Sequence, residues 1–140
     1  MSEDHRSIDL ERTALGHYRA TNVRGGTITI GEGDDADFTP VELLLAALAG
    51  CSAVDVDHIV SKRAEPESFV VGSAGRKVRD EHGNRLTELS LDFGVDFGDD
   101  EAGERARAVL ADAIAKSHDR LCTVSRTIEV GAEVTARPVG

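Results

Sequence analysis

The sequence has 140 residues, of which 40% are hydrophobic and 30% charged, and its formal net charge is −10. This length fits one domain with a core of its own, whereas the acidic charge excludes nucleic acid as the expected partner, because phosphate binding requires a basic patch. An anionic membrane surface is disfavoured for the same reason, and no apolar run approaches the roughly 18 residues that cross a bilayer.

The charged N-terminus contains no apolar segment typical of a secretory signal. Two cysteines in a chain of this size then indicate reduced thiols and a cytosolic location. We therefore expect a single domain over residues 1–140, in which residues 1–7 form a flexible tail.

The first structured segment is predicted to be a set of strands. Apolar and polar residues alternate loosely over residues 8–31, and Arg24-Gly25-Gly26 supplies a turn signal between two strands. The acidic stretch 31–37 predicts a loop.

A long helix follows the acidic loop. Thr39, Pro40 and Glu42 have the spacing of a capping box with proline in the first turn. The residues after them are apolar on nearly every side, a pattern typical of a buried helix. We predict that this helix reaches about Lys62 and that Pro66 prevents a longer one.

The second half of the sequence predicts a hairpin, a helix and a last strand. Residues 68–79 and 86–97 alternate as strands around a glycine-containing turn. An amphipathic helix begins after Asp100, and a final strand is predicted over Thr127–Ala136. The order of these elements predicts an α+β fold.

The two cysteines are the strongest candidates for chemistry. Cys51 lies within the apolar helix, where a free cysteine is commonly an inert core residue. Asp55 and His58 share its helix stripe, and a basic cluster just before Cys122 would favour the thiolate form of that residue. A low-pKa thiol near a second cysteine is typical of peroxide-reducing sites, but a separation of 71 positions leaves open whether the sulfurs meet.

Cofactor sites are not indicated by the remaining motifs. The sequence contains no CxxC or HxxxH spacing that would predict a metal site. Its glycines form neither a dinucleotide-binding fingerprint nor a P-loop. We therefore expect no metal and no organic cofactor.

Two segments resemble the cysteine-containing segments of one family. TPVELLLAALAGCSAVDV, residues 39–56, and SHDRLCTVS, residues 117–125, are similar to those of the OsmC-like proteins. That family includes the osmotically inducible OsmC proteins and the Ohr organic hydroperoxide resistance proteins. The resemblance implies an intertwined homodimer in which two antiparallel-rich sheets surround two long central helices.

The resemblance also implies a thiol peroxidase that reduces organic hydroperoxides. Cys51 would attack the hydroperoxide and become a sulfenic acid, Cys122 would condense with it to a disulfide, and an external dithiol would restore both thiols. An arginine of the N-terminal strands would assist the thiolate, with Arg24 as the best match and Arg19 as the second. Glu42 is the candidate for the glutamate that partners this arginine.

Glu42 departs from the Ohr pattern, in which the glutamate directly follows the proline. Val41 occupies that position here. Nine residues separate Glu42 from Cys51, which places them on opposite faces of a straight helix, and Glu42 already has a role in the capping box. The departure indicates a subgroup outside Ohr, and it leaves two alternatives to a peroxidase: a non-catalytic stress-associated dimer that binds a small apolar ligand, and a redox sensor.

Overall fold

The computed structural model describes residues 4–140, so residues 1–3 of the predicted tail lie outside the described part, while residues 4–7 are exposed and precede the first strand. The described chain separates into two compact units, the first ending at Leu44 and the second covering Leu45–Gly140. A continuous helix begins in the first unit and extends into the second.

The first unit contains a three-stranded antiparallel sheet in chain order, which confirms the predicted strands. Its strands are β1 (Ile8–Ala14), β2 (His17–Asn22) and β3 (Thr27–Ile30). The β2–β3 turn is held by the side chain of Asn22, which accepts the backbone N–H groups of Arg24 and Gly26 at 2.9 and 3.0 Å. Gly25 has a φ of 89°, a conformation that glycine adopts without strain.

Helix α1 (Pro40–Val60) begins with the predicted capping box. The backbone N–H of Thr39 donates to Oε1 of Glu42 at 2.8 Å, and the backbone N–H of Glu42 donates to Oγ1 of Thr39 at 3.2 Å. The reciprocal bonds satisfy donors that the first helical turn leaves without a partner. The helix ends two residues before the predicted boundary at Lys62.

One face of α1 is buried within the chain. The buried residues recur every fourth position, at Leu48, Ser52, Val56 and Val60. Within one chain, only 22% of the most apolar stretch of the helix is buried, although its composition is typical of a buried helix. Val54, for example, remains 57% exposed.

By length and composition, α1 could cross a membrane, which corrects the expectation that no segment of the chain is long and apolar enough. Core helices of soluble proteins meet the same two criteria. Length and composition therefore do not decide the environment of this helix.

A long antiparallel hairpin follows α1, close to its predicted boundaries. It consists of β4 (Ser68–Asp80) and β5 (Gly83–Asp96). Phe69 and Phe93 contact edge to face across the pair, with ring centroids 6.2 Å apart. The two antiparallel sheets together with the helices confirm the predicted α+β class.

Helix α2 (Glu101–Lys116) starts at Asp100, whose carboxylate accepts the backbone N–H of Gly103 at 2.7 Å. It closes the core of the second unit, a buried cluster of Val56, Val60, Phe97, Ala106 and Ala113. The helix then continues into a π-helical turn, Ser117–Leu121, directly before Cys122.

The predicted last strand, Thr127–Ala136, is wrong. Helix α3 (Thr123–Val130) occupies its first part, and residues 131–140 form neither helix nor strand. The apolar residues Val124 and Ile128 are four positions apart, a spacing that suits a helix as well as alternation suits a strand. A strand also needs a neighbouring edge for its backbone hydrogen bonds, and residues 131–140 pair with none of the strands between residues 4 and 140.

Candidate active site

The two cysteines lie near each other in the second unit. Cys51, in the middle of α1, is half-buried, and Cys122, directly after the π-helical turn, is fully buried. Both are free thiols, and they are close enough that the Cys51 side chain raises the pKa of Cys122. The fold thus brings together two thiols that lie 71 positions apart in the sequence, which is the first requirement for a disulfide.

The surroundings of Cys122 favour the protonated thiol. Burial raises the pKa of Cys122 above its ordinary value, and the neighbouring Cys51 thiol raises it further. The backbone N–H of Ser125 opposes this rise, because it donates to Sγ of Cys122 at 3.3 Å. The net direction is upward, so Cys122 is held mainly as a thiol near neutral pH.

The predicted effect of the basic cluster on Cys122 is therefore wrong. Lys116, His118 and Arg120 are all exposed, and His118 is held between two acidic residues. Desolvation of the buried sulfur outweighs any attraction from these exposed cations, since water screens their charge.

The two sulfurs differ in their exposure to solvent, and this difference affects which of them can react first. A reagent from solvent meets the half-buried Cys51 first, whereas Cys122 is enclosed and lies near Cys51. A thiol that must react second benefits from enclosure, because it is protected from direct oxidation. The arrangement can therefore support an outer sulfur that reacts and an inner sulfur that completes a disulfide.

A buried hydrogen-bond network lies next to this pair. Oγ of Ser117 donates to Oδ2 of Asp55 at 2.8 Å, and Oγ of Ser52 lies 3.0 Å from Oγ of Ser117. A hydroxyl carries one proton, so Ser52 is the donor in its bond to Ser117. The sequence identified Asp55 as a polar residue near Cys51, but neither serine, because serine is too common and its partner lies 65 positions away.

His58, the other polar residue predicted on the Cys51 stripe, does not join this network. It is exposed near the end of α1, in a shallow hollow formed with Asp57, Ser61 and Lys62. The predicted grouping of Cys51, Asp55 and His58 is thus replaced by one in which Asp55 binds a serine from the π-helical turn.

His118 links the π-helical turn to α3. Its Nδ1 lies 2.9 Å from Asp119 and its Nε2 lies 2.8 Å from Glu129. The hydrogen bond to Asp119 and the charge of Glu129 raise the pKa of His118 above its ordinary value. The imidazolium form, and with it both ion pairs, therefore persists to higher pH than in the unfolded chain, and this contribution to stability is lost as the pH rises through the raised pKa.

An open cavity of about 420 Å³ adjoins the network. Its wall is mostly apolar, and its polar side chains include Ser52, His118, Ser125 and Glu129. The apolar residues that line it are Leu48, Leu89, Leu91, Phe93, Ile114 and Ile128. Such a lining suits an apolar molecule with one polar end.

The predicted arginine and glutamate belong to the first unit. Arg24 is exposed in the β2–β3 turn, and its guanidinium forms no ion pair within residues 4–140. Arg19 is bound to Glu11 on the neighbouring strand at 2.6 Å. Glu42 is exposed and one of its carboxylate oxygens is engaged in the capping box, as the sequence predicted.

One cluster of metal-binding residue types also lies in the first unit, and no sequence spacing indicated it. His17 contacts Asp34 through Nε2 at 3.5 Å and Asp35 through Nδ1 at 3.6 Å. Because the carboxylates contact different nitrogens of one ring, the cluster is arranged to hold an imidazole between two acids rather than to surround one ion.

Comparisons with known proteins extend over nearly the whole chain. A family model described as OsmC-like protein matches residues 31–137. An uncharacterised protein of Mycobacterium tuberculosis is 31% identical over 132 residues, which cover 93% of this chain and 93% of that protein.

Solved structures show the same fold. An OsmC-like protein of unknown function from Vibrio cholerae has a TM-score of 0.74 at 18% identity and covers 92% of this chain and 95% of its own. An organic hydroperoxide resistance protein from Elizabethkingia anophelis has a TM-score of 0.60 at 16% identity, with coverage of 90% and 91%. The resemblance first seen in two cysteine segments thus extends to the arrangement of the strands and helices.

Proposed function

The chain belongs to the OsmC-like family, and on that premise we propose that it is a thiol peroxidase that reduces organic hydroperoxides. The observation that carries the proposal is the proximity of a half-buried Cys51 to a fully buried Cys122. Similarity of fold to an organic hydroperoxide resistance protein supports the choice of substrate class.

The first step oxidises Cys51. Its thiolate attacks one oxygen of the hydroperoxide, the O–O bond breaks, and the second oxygen leaves with a proton as an alcohol. The oxygen that stays on sulfur makes Cys51 a sulfenic acid.

The second step joins the sulfurs. The Cys122 sulfur attacks the sulfur of the Cys51 sulfenic acid, an S–S bond forms, the S–O bond breaks, and hydroxide leaves with the Cys122 proton as water. The N–H of Ser125, already bonded to Sγ of Cys122, stabilises the negative charge that grows as this proton leaves. An external dithiol then reduces the disulfide by exchange, and each cycle converts one hydroperoxide and one dithiol into alcohol, water and an external disulfide.

Arg24 is the preferred partner for the Cys51 thiolate in this proposal. Its guanidinium has no ion-pair partner within residues 4–140, whereas Arg19 is bound to Glu11. Glu42 keeps its proposed role as the partner of this arginine: no ion pair joins the two within residues 4–140, but one carboxylate oxygen of Glu42 is not used by the capping box. Regeneration by a dithiol suits the reducing cytosol, where we propose that the protein acts.

The experiment that tests the proposal compares masses. Reduced protein treated with one equivalent of cumene hydroperoxide is expected to lose about 2 Da, because two thiols become one disulfide. Proteolysis should then yield a peptide pair linked through Cys51 and Cys122. Protein that keeps both thiols while the hydroperoxide persists would contradict the proposal.

We also propose that the partner of this protein is a second copy of the chain. Leu44 and Val54 of α1 remain 40% and 57% exposed, and most of the apolar stretch of the helix is uncovered within one chain. A soluble protein rarely leaves a large apolar surface exposed to water. Association of two copies through α1 would cover this surface and agrees with the homodimer that the family resemblance implies.

The dimer is tested by introducing a charge on the exposed face of α1. Val54→Asp is expected to produce monomers at micromolar concentration in analytical ultracentrifugation, because a carboxylate is costly in an apolar interface. The wild type should sediment as a dimer and melt at a higher temperature as its concentration increases. Val139→Asp, at a position that is 96% exposed near the end of the chain, is the matched control. A monomeric wild type with concentration-independent melting would overturn the proposal.

A second candidate function is the binding of a small apolar ligand without catalysis. The cavity of about 420 Å³ favours it, because its wall combines an apolar lining with a few polar groups. The two functions differ in the fate of the cysteines. A protein that only binds a ligand would keep two free thiols after exposure to hydroperoxide.

A further inference from the structure

We propose that Ser117, Ser52 and Asp55 are positioning residues that hold Cys122 against Cys51. The inference rests on the proposed function, because Cys122 must lie beside Cys51 in order to attack its sulfenic acid. Its test uses the thiol–disulfide equilibrium of the pair, which can be measured whether or not the protein reduces hydroperoxides.

Ser117 is the centre of the network. Its side chain is fully buried, and its hydroxyl bonds to two residues of α1: it donates to Asp55 at 2.8 Å and accepts from Ser52 at 3.0 Å. Ser52 is itself 3% exposed, so the bond between the two serines is buried, whereas the bond to Asp55 is part-buried. A hydrogen bond from a hydroxyl to a carboxylate is stronger than a hydrogen bond between two neutral groups, and burial strengthens it further.

The backbone of Ser117 carries this attachment to Cys122. The carbonyl of Ser117 accepts the backbone N–H of Cys122 at 2.9 Å, which closes the π-helical turn. In a regular α-helix the N–H of Cys122 would bond to His118, one residue later. The extra residue of a π-helical turn changes the direction in which the following side chain leaves the helix, and such turns are frequent at functional sites.

Helix α1 supplies the other half of the arrangement. Ser52 directly follows Cys51 in the helix, so one rigid element holds both the reacting sulfur and two anchors for the turn that ends at Cys122. The distance between the sulfurs is thus set by hydrogen bonds between α1 and the turn as well as by apolar packing. Two serines and an aspartate that served only to satisfy one another would have no effect on the disulfide.

The experiment measures how readily the pair closes. The 140-residue protein is equilibrated with mixtures of oxidised and reduced dithiothreitol, in which two protein thiols become a disulfide while one oxidised dithiothreitol gains two hydrogens. Ser117→Ala is expected to lower the equilibrium constant for closure about tenfold, because Cys122 is then held less firmly near Cys51. Asp55→Ala should lower it to a similar degree, and the double variant should show no further decrease.

Two matched variants separate positioning from general stability. Ser61→Ala removes another serine–carboxylate bond at the end of α1, between Oγ of Ser61 and Oδ1 of Asp57 at 2.8 Å, and should leave the constant unchanged. Asp55→Asn keeps an oxygen that can accept the Ser117 hydroxyl and should restore most of the wild-type value. A purely structural role would lower the melting temperature of the variants without moving the equilibrium constant.

The outcomes distinguish this inference from the proposed function. If the wild type closes with dithiothreitol but never consumes hydroperoxide, the peroxidase proposal fails and the positioning role stands on the variant data. If Ser117→Ala closes as readily as Ser61→Ala, the positioning role is overturned regardless of the peroxidase result. Should Ser117→Ala fail to fold, the comparison of Asp55→Ala with Asp55→Asn decides the matter, and equal constants for those two variants would overturn it.

Discussion

A Cys51→Ser variant is expected to lose hydroperoxide consumption by on the order of a thousandfold or more, because a serine hydroxyl cannot replace a thiolate as the nucleophile. Cys122→Ser is expected to behave differently. Without added reductant it should consume about one equivalent of hydroperoxide, as the wild type does, but remain as the Cys51 sulfenic acid, because this sulfur has no second cysteine with which to condense. The different burial of the two sulfurs is the reason for this asymmetry.

The measurement combines hydroperoxide consumption with trapping of the sulfenic acid. Cumene hydroperoxide is followed in the absence of reductant, and dimedone is added to label the oxidised sulfur. Labelling of Cys51 should be strong in Cys122→Ser, weak in the wild type and undetectable in Cys51→Ser. Both variants must retain the wild-type circular dichroism spectrum. Wild-type consumption by Cys51→Ser would exclude this cysteine as the nucleophile, and equally weak dimedone labelling of Cys51 in Cys122→Ser and in the wild type would exclude the resolving role of Cys122.

Phe97→Ala is expected to lower the free energy of unfolding by about 3–5 kcal/mol, through lost apolar burial and the cavity that the ring leaves behind. Phe97 is 6% exposed and belongs to the buried cluster of the second unit, together with Val56, Val60, Ala106 and Ala113. That cluster joins the end of α1 to α2, so its loss also loosens the helix from which the π-helical turn continues.

Chemical denaturation at one fixed protein concentration measures this effect, since association would otherwise alter the apparent stability. Phe97→Leu should cost less, about 1–2 kcal/mol, because leucine refills part of the volume. Val139→Ala, at a nearly fully exposed position, should change stability by less than about 0.5 kcal/mol. Equal costs for the alanine and leucine variants would show that burial of the ring is not what stabilises this cluster.

Signals between near neighbours in the sequence determined much of the fold. The capping box of Thr39 and Glu42 predicted where α1 begins, because its bonds join residues only three positions apart. Alternation predicted the strands of both sheets, and the two cysteine segments identified the family. Local pattern failed between residues 123 and 136, where helical and strand spacing fit the same apolar residues and no neighbouring edge within the described chain completes a strand.

The candidate site depended on contacts between distant positions. The sequence selected Cys51 and Cys122 as residue types, but only the folded chain brings them near each other and joins Ser52 and Asp55 to Ser117. The pKa of Cys122 also depended on tertiary structure: nearby basic residues predicted a lower value, whereas burial raises it. Charge can be counted along a sequence, but desolvation and hydrogen bonding depend on which groups the fold encloses together, and these set the reactivity of a buried thiol.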